Sequence, residues 1–128
     1  MTAALDTSVV VRLLVGQPVG QAVAARKLIE GGLAAVSDLV VGESYFALRH
    51  HYRVPHEHAV AALRALLADP RVTATGVARE VLAAAPERDV PPGLMDRLIH
   101  ADYRGAGVEF TTFDRDAASL EGGRLLSS

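Results

Sequence analysis

The chain is predicted to fold as an α/β protein, a three-layer α/β/α sandwich on a short, mainly parallel sheet. Short apolar segments of strand length recur at residues 3–6, 34–37, 71–75 and 109–113. Segments of helical length and apolar spacing alternate with them, which calls for crossover connections between parallel strands. Glycine and proline punctuation falls between the segments, at Gly16 and Pro18, Gly31-Gly32, Asp69-Pro70 and Gly105-Ala106-Gly107.

Taken in order, residues 3–6 read as a strand and 8–14 as a short helix ended by Gly16 and Pro18. Residues 19–30 form a helix stopped by the glycine pair, and 34–37 a short strand. Residues 38–52 have helical spacing, and Pro55 suits the first turn of a helix reaching residue 68. The 71–75 segment alternates like a strand, 77–85 is helical, and 86–93 is a proline-rich connection. A helix over 94–104 ends at the glycine cluster, 109–113 is the next strand, and 114–120 a short helix. A turn at 121–123 leaves at most a strand stub at 124–126.

The 128 residues fit a single domain over residues 1–128, with one core rich in Ala, Leu and Val. No cysteine is present, which excludes disulfides, thiolate zinc sites and cysteine nucleophiles. Asp6 and Arg12 interrupt the start where a signal peptide needs an apolar core, and no stretch approaches the ~20 apolar residues of a membrane span. The expectation is an unprocessed cytoplasmic protein without a membrane segment. A net charge of −2 gives no global pull toward nucleic acid, and 12 of the 13 positive residues being arginine is also what a GC-rich genome produces.

Four carboxylates stand where solvated acids are uncommon. Asp6 closes the first strand, at the sheet edge where parallel folds place their sites. Capping the next helix is the alternative role, but Thr7 or Ser8 can cap instead and leave the Asp6 carboxylate free. Glu43 has Leu39, Val40, Phe46 and Ala47 three and four residues away, an apolar face expected to point inward. A Glu there must pair with an arginine such as Arg12 or Arg49, or bind metal. Asp96 lies early in its helix, where the helix dipole favours an acid in any case. Asp114 follows Phe110-Thr111-Thr112-Phe113 with the same capping alternative as Asp6, and Asp116 is either a further ligand or a surface acid. Four such acids around one sheet edge repel one another unless divalent cations neutralise them. Oxygen-only donors suit Mg²⁺ or Mn²⁺, and such a site suits phosphodiester hydrolysis.

The runs Leu5-Asp6-Thr7-Ser8-Val9-Val10, Gly42-Glu43-Ser44, Met95-Asp96-Arg97-Leu98-Ile99 and Thr112-Phe113-Asp114-Arg115-Asp116 occur in this order across essentially the whole chain. Together they resemble the PIN domain, and the chain's size resembles that family's stand-alone toxin branch, VapC. The resemblance implies a Mg²⁺-dependent endoribonuclease (Mn²⁺ being the other candidate ion), the toxin of a VapBC-type toxin–antitoxin pair that inhibits translation and growth. It implies Asp6, Glu43, Asp96 and Asp114 as the catalytic, metal-binding quartet, with Asp116 as an auxiliary acid. It places the hydroxyls of Thr7 and Thr112 near the metal or the scissile phosphate. It implies a transfer or ribosomal RNA substrate cut at single-stranded loops, a VapB-type antitoxin whose tail crosses helices to the acids, a homodimer and a toxin–antitoxin hetero-oligomer. Many members have small residues before the third acid and an aromatic soon after the fourth, where this chain has Leu94-Met95 and Ala117-Ala118. These departures bear on packing and touch no metal ligand.

Arg12, Arg49, Arg97 and Arg115 lie near the acids in sequence and are candidate RNA-phosphate ligands, with ion pairing as their alternative role. Tyr45, Phe46 and Tyr52 are assigned to core packing or a protein interface, with base stacking as the alternative. His50, His51, His56 and His58 lack zinc-ligand spacing and are read as solvated, and His100 as a packing or supporting residue. A haloacid-dehalogenase-type phosphatase needs an Asp where Ser8 stands, and a receiver domain needs a late lysine where only Lys27 exists. The remaining alternative is a PIN-like fold kept as a non-catalytic RNA- or protein-binding module.

Overall fold

The computed structural model describes residues 2–127. Strands β1 (Thr2–Ala4), β2 (Leu33–Val36) and β3 (Val72–Ala74) form a parallel sheet in the order β1-β2-β3, with Ala3 opposite Ala34 and Ala34 opposite Val72. Helices α1 (Thr7–Val15) and α2 (Val19–Glu30) lead from β1 to β2, and α3 (Asp38–His50) and α4 (His56–Ala68) lead from β2 to β3. Helices α5 (Ala78–Ala84) and α6 (Leu94–Gly105) then precede a second parallel pair, β4 (Thr111–Thr112) with β5 (Arg124–Leu125), joined through α7 (Arg115–Ala118).

The α/β fold and its parallel strands agree with expectation, but the sheet is divided. The strand expected over 109–113 pairs only through Thr111 and Thr112, and among the described residues no ladder joins it to β1. The C-terminal pair is fastened to α6 instead. His100 donates from Nε2 to the Glu121 carbonyl at 2.6 Å, its ring meets Phe110 edge-on at 5.6 Å, and Arg104 pairs with Glu121 at 2.7 Å. His100 therefore has the packing role expected of it.

Local chemistry explains the helices that carry the site. Val9, Val10 and Val11 are β-branched and poor helix formers, yet α1 is helical because Val10 and Val11 are buried against the core. Gly16 ends α1 with φ of 80°, its N–H bonded to the Arg12 carbonyl at 2.8 Å. Pro55 stands one residue before α4, where the expectation put it in the first turn. Asp38, the first residue of α3, accepts from the N–H groups of Val77 and Ala78 at 3.1 and 2.9 Å, and so caps α5 from across the sheet. A Cβ at Gly76 would collide with that carboxylate.

Arginine serves much of this architecture internally. Arg64 on α4 donates twice to the Leu82 carbonyl at the end of α5, and Arg79 on α5 donates to the Leu67 carbonyl at the end of α4. The two helices thus satisfy each other's terminal carbonyls. No single described helix is long and apolar enough to cross a membrane; α1 and α2 together reach the length, but they meet at 108° and bury Val10, Ala22, Ala25 and Ile29.

Among the described residues, Ser44 Oγ on α3 is the one buried side-chain oxygen or nitrogen without a hydrogen-bond partner. Ser44→Ala removes that desolvated hydroxyl and is expected to stabilise the fold by about 1 kcal/mol, a melting-temperature rise of roughly 4 °C. A decrease would show that the hydroxyl has a partner in solution.

Candidate active site

Side-chain contacts join three helices at one junction. Thr7, the first residue of α1, donates its hydroxyl to Glu43 Oε1 on α3 at 2.9 Å. One residue back on α3, a Cβ at Gly42 would stand 2.6 Å from Met95 Sδ on α6, and Asp96 follows Met95. The glycine thus lets α3 and α6 approach closely where the two acids are carried.

Over this junction lies a groove of about 400 Å³ walled by Thr7, Gly42, Glu43, Phe46, His51 and Met95. A neighbouring groove of about 540 Å³ shares Thr7 and His51 with it and adds Ser8, Arg12 and Tyr52.

Asp6 is the N-cap of α1, contrary to the expectation that Thr7 or Ser8 would cap and leave it free. Its Oδ1 accepts from the Ser8 hydroxyl at 2.6 Å and from the Val9 N–H at 3.2 Å. The Ser8 bond first, then the Val9 N–H, hold the Asp6 carboxyl below the usual carboxylate range, and the Arg12 charge adds to them. Asp6 is therefore ionised at neutral pH.

Both bonds use the same oxygen. Among the described residues, Asp6 Oδ2 has no hydrogen-bond partner, and neither does Glu43 Oε2. Asp114 repeats the pattern: Oδ1 accepts from the Ala117 N–H at 2.9 Å, capping α7, and Oδ2 is unpartnered. Each of the three carboxylates is oriented by one oxygen and leaves the other unpartnered among the described residues.

Glu43 does not face inward. It is exposed, and it pairs with neither Arg12 nor Arg49. Leu39 and Phe46, which suggested an inward face, are themselves exposed. Asp96 is half-buried in the first turn of α6, and Asp114 and Asp116 are exposed. Thr112 is not free either, because its Oγ1 accepts the Asp114 N–H at 3.0 Å.

The structure thus places Thr7 and Glu43 in contact beside the cap at Asp6, and brings α6 against α3 at Gly42 and Met95, one residue from Asp96. Among the described residues, no hydrogen bond joins Asp114 or Asp116, in the C-terminal segment, to that group. Among the described residues, no three histidine or acidic side chains form a group that could hold a metal ion. Local donors contribute to this, since Asp6, Glu43 and Asp114 each turn one oxygen to a nearby hydroxyl or N–H.

Of the four arginines expected near phosphate, Arg49 is committed to Asp89 at 2.7 Å. Arg12 donates only to the Ser8 carbonyl at 3.3 Å, Arg97 only to the Pro92 carbonyl at 2.9 Å, and neither forms an ion pair among the described residues. Arg115 is exposed. His56 is not solvated as expected: it is 8% exposed, accepts from the Tyr45 hydroxyl at Nδ1 and donates from Nε2 to the Pro86 carbonyl. Ser8, His51 and the Gly42–Met95 approach were missed by sequence reasoning. A small residue directly before Glu43 was the one available signal.

Compared with known families, the PIN domain family model matches residues 3–123. The chain belongs to the PIN domain family. Neither a curated protein nor a solved structure matches it. PIN domains are generally metal-dependent nucleases, which supports a nuclease-type, hydrolytic function for this PIN domain. The donor chemistry fits a hard divalent cation: the acids offer carboxylate oxygens, one of Asp6 and one of Glu43 being unpartnered among the described residues, with no thiol or zinc-spaced histidines.

Proposed function

We propose that this PIN domain is a Mg²⁺-dependent endoribonuclease and the toxin of a VapBC-type pair, cutting transfer or ribosomal RNA until its antitoxin neutralises it. The observation that carries the reading is the set of carboxylates each anchored by one oxygen, beside a groove bordered by the unpaired cation Arg12. Asp6, Glu43 and Asp96 would hold Mg²⁺, with Asp114 and Asp116 completing the set, and the ion would supply Lewis-acid stabilisation for phosphodiester hydrolysis. Thr7 holds Glu43, and Ser8 with the Val9 N–H holds Asp6, so the ligands are oriented before substrate arrives. Arg12 offsets the repulsion between these acids and an RNA phosphate.

Two further surfaces support the partners. A cleft of about 580 Å³ between α1 and α2, lined by Val9, Arg12 and Leu28, opens beside Asp6 and suits an antitoxin segment whose tail reaches the acids. Exposed Leu39, Met95 and Ile99 along a groove between α3 and α6 suit pairing of two copies. One observation favours a non-catalytic binding module instead: among the described residues the acids form no group of three.

Induction in a bacterial host separates the two readings. The wild type is expected to arrest growth and create discrete new RNA 5′ ends, and Asp6→Asn to do neither. Equal arrest by both would exclude the acid-dependent nuclease.

A further inference from the structure

The rim of the candidate groove carries aromatic and imidazole faces that the chemistry of the acids does not use. Phe46 projects from α3 with 56% of its surface exposed, and its ring lies 4.4 Å from that of His50 at a 42° tilt. Tyr52, just beyond the helix, is 46% exposed. His51 walls both grooves, Phe46 the one containing Glu43, and Tyr52 the one containing Arg12. Among the exposed large apolar side chains, Phe46 and Met95 wall the groove that contains Glu43.

Two occupants are open to such a rim: an apolar protein segment, or the bases of an unpaired nucleic-acid strand. Charge decides between them. The imidazoles of His50 and His51 stand among the rings, and Arg12 on the wall, though its charge acts on Asp6, forms no ion pair among the described residues, whereas Arg49 on α3 pairs with Asp89. Flat π-faces interleaved with a free cation match the alternation of bases and phosphates along a single strand. A duplex keeps its bases stacked on one another and offers these rings nothing.

We infer that Phe46, His51 and Tyr52 form a stacking platform for unpaired nucleotides of RNA beside the acid-bearing groove, with Arg12 taking a backbone phosphate. The inference deepens the nuclease reading and rests on it for the assignment of RNA. Phe46, His51 and Tyr52 touch bases and leave the chemistry to the carboxylates, so they select substrate conformation. The platform assigns to Phe46, His51 and Tyr52 the contacts that hold unpaired bases whatever their sequence.

The test is binding of a short, unstructured RNA carrying a fluorescent purine analogue, measured in a metal chelator so that no cleavage intervenes. The wild type is expected to quench the analogue by stacking. Phe46→Ala and His51→Ala are each expected to weaken binding by at least about five-fold with loss of quenching, while Phe46→Tyr retains both. The same strand in a duplex is expected to bind more weakly than the single strand. All three side chains are exposed, so the variants fold, which their melting curves check. Absence of wild-type binding, unchanged affinity in both alanine variants, or equal affinity for duplex overturns the platform, and unchanged affinity leaves the rim as a protein-contact surface. Cleavage by the wild type and Asp6→Asn with Mg²⁺, read in parallel, separates the failures. Asp6-dependent cleavage without stacking overturns the platform alone, and stacking without Asp6-dependent cleavage overturns the nuclease reading alone.

Discussion

Asp6→Asn is expected to lower RNA cleavage by the purified chain at least about 100-fold while leaving its melting temperature nearly unchanged. The two effects separate because Asp6 has two oxygens in two roles. Oδ1 caps α1, accepting from Ser8 and Val9, and asparagine is as good an N-cap as aspartate. Its amide oxygen takes over the cap, and the amide nitrogen replaces Oδ2. An amide nitrogen is a poor ligand for a hard cation and carries no charge to neutralise it. Losing a residue that merely supports a metal ligand costs about 10–100-fold, so losing a ligand outright costs more. If stability fell with activity, the carboxylate would be structural. If activity survived, Asp6 would be a cap and nothing else.

The largest expected effect on stability lies away from the groove. Asp38→Ala leaves the Val77 and Ala78 N–H groups of α5 without their acceptor and is expected to cost about 2–3 kcal/mol. Gly76→Ala should cost a similar amount by a different route. A Cβ at Gly76 meets both Asp38 oxygens and Cγ, so the carboxylate must leave the α5 terminus to make room. Because each change destroys the same pair of bonds, the double variant is expected to be only slightly worse than either single one. Denaturant unfolding of all four proteins measures this coupling. Additive losses would mean that Gly76 acts independently of the cap.

Legibility from sequence followed the range of the interactions. Residues 19–30 were bounded correctly because Pro18 and Gly31 act locally. The cap at Asp6 was ambiguous because Asp6, Thr7 and Ser8 are three consecutive residues able to cap, and only backbone geometry distinguishes them. Glu43 misled through its neighbours: Leu39 and Phe46 are apolar but exposed, so helical spacing marked a surface face as an inner one. His56 is buried by Tyr45 and by the Pro86 carbonyl, 11 and 30 residues away, and no local pattern encodes that. The 109–113 segment has strand-like alternation, but pairing depends on where α6 holds the chain, and His100 fastens its neighbour Phe110 away from β1. The acids at Asp6, Glu43 and Asp96 were visible as residue types, while the Thr7–Glu43 bond and the Gly42–Met95 approach of the helices that carry them were not.

The central claim is that the oriented carboxylates, together with Asp96, act on RNA through a divalent ion. It is tested most directly by incubating purified wild type and Asp96→Asn with total RNA, each in Mg²⁺ and in a chelator, and mapping the new ends. Discrete cuts by the wild type in Mg²⁺ alone are the predicted result. Cleavage that persists in the chelator, or equally in Asp96→Asn, would contradict it.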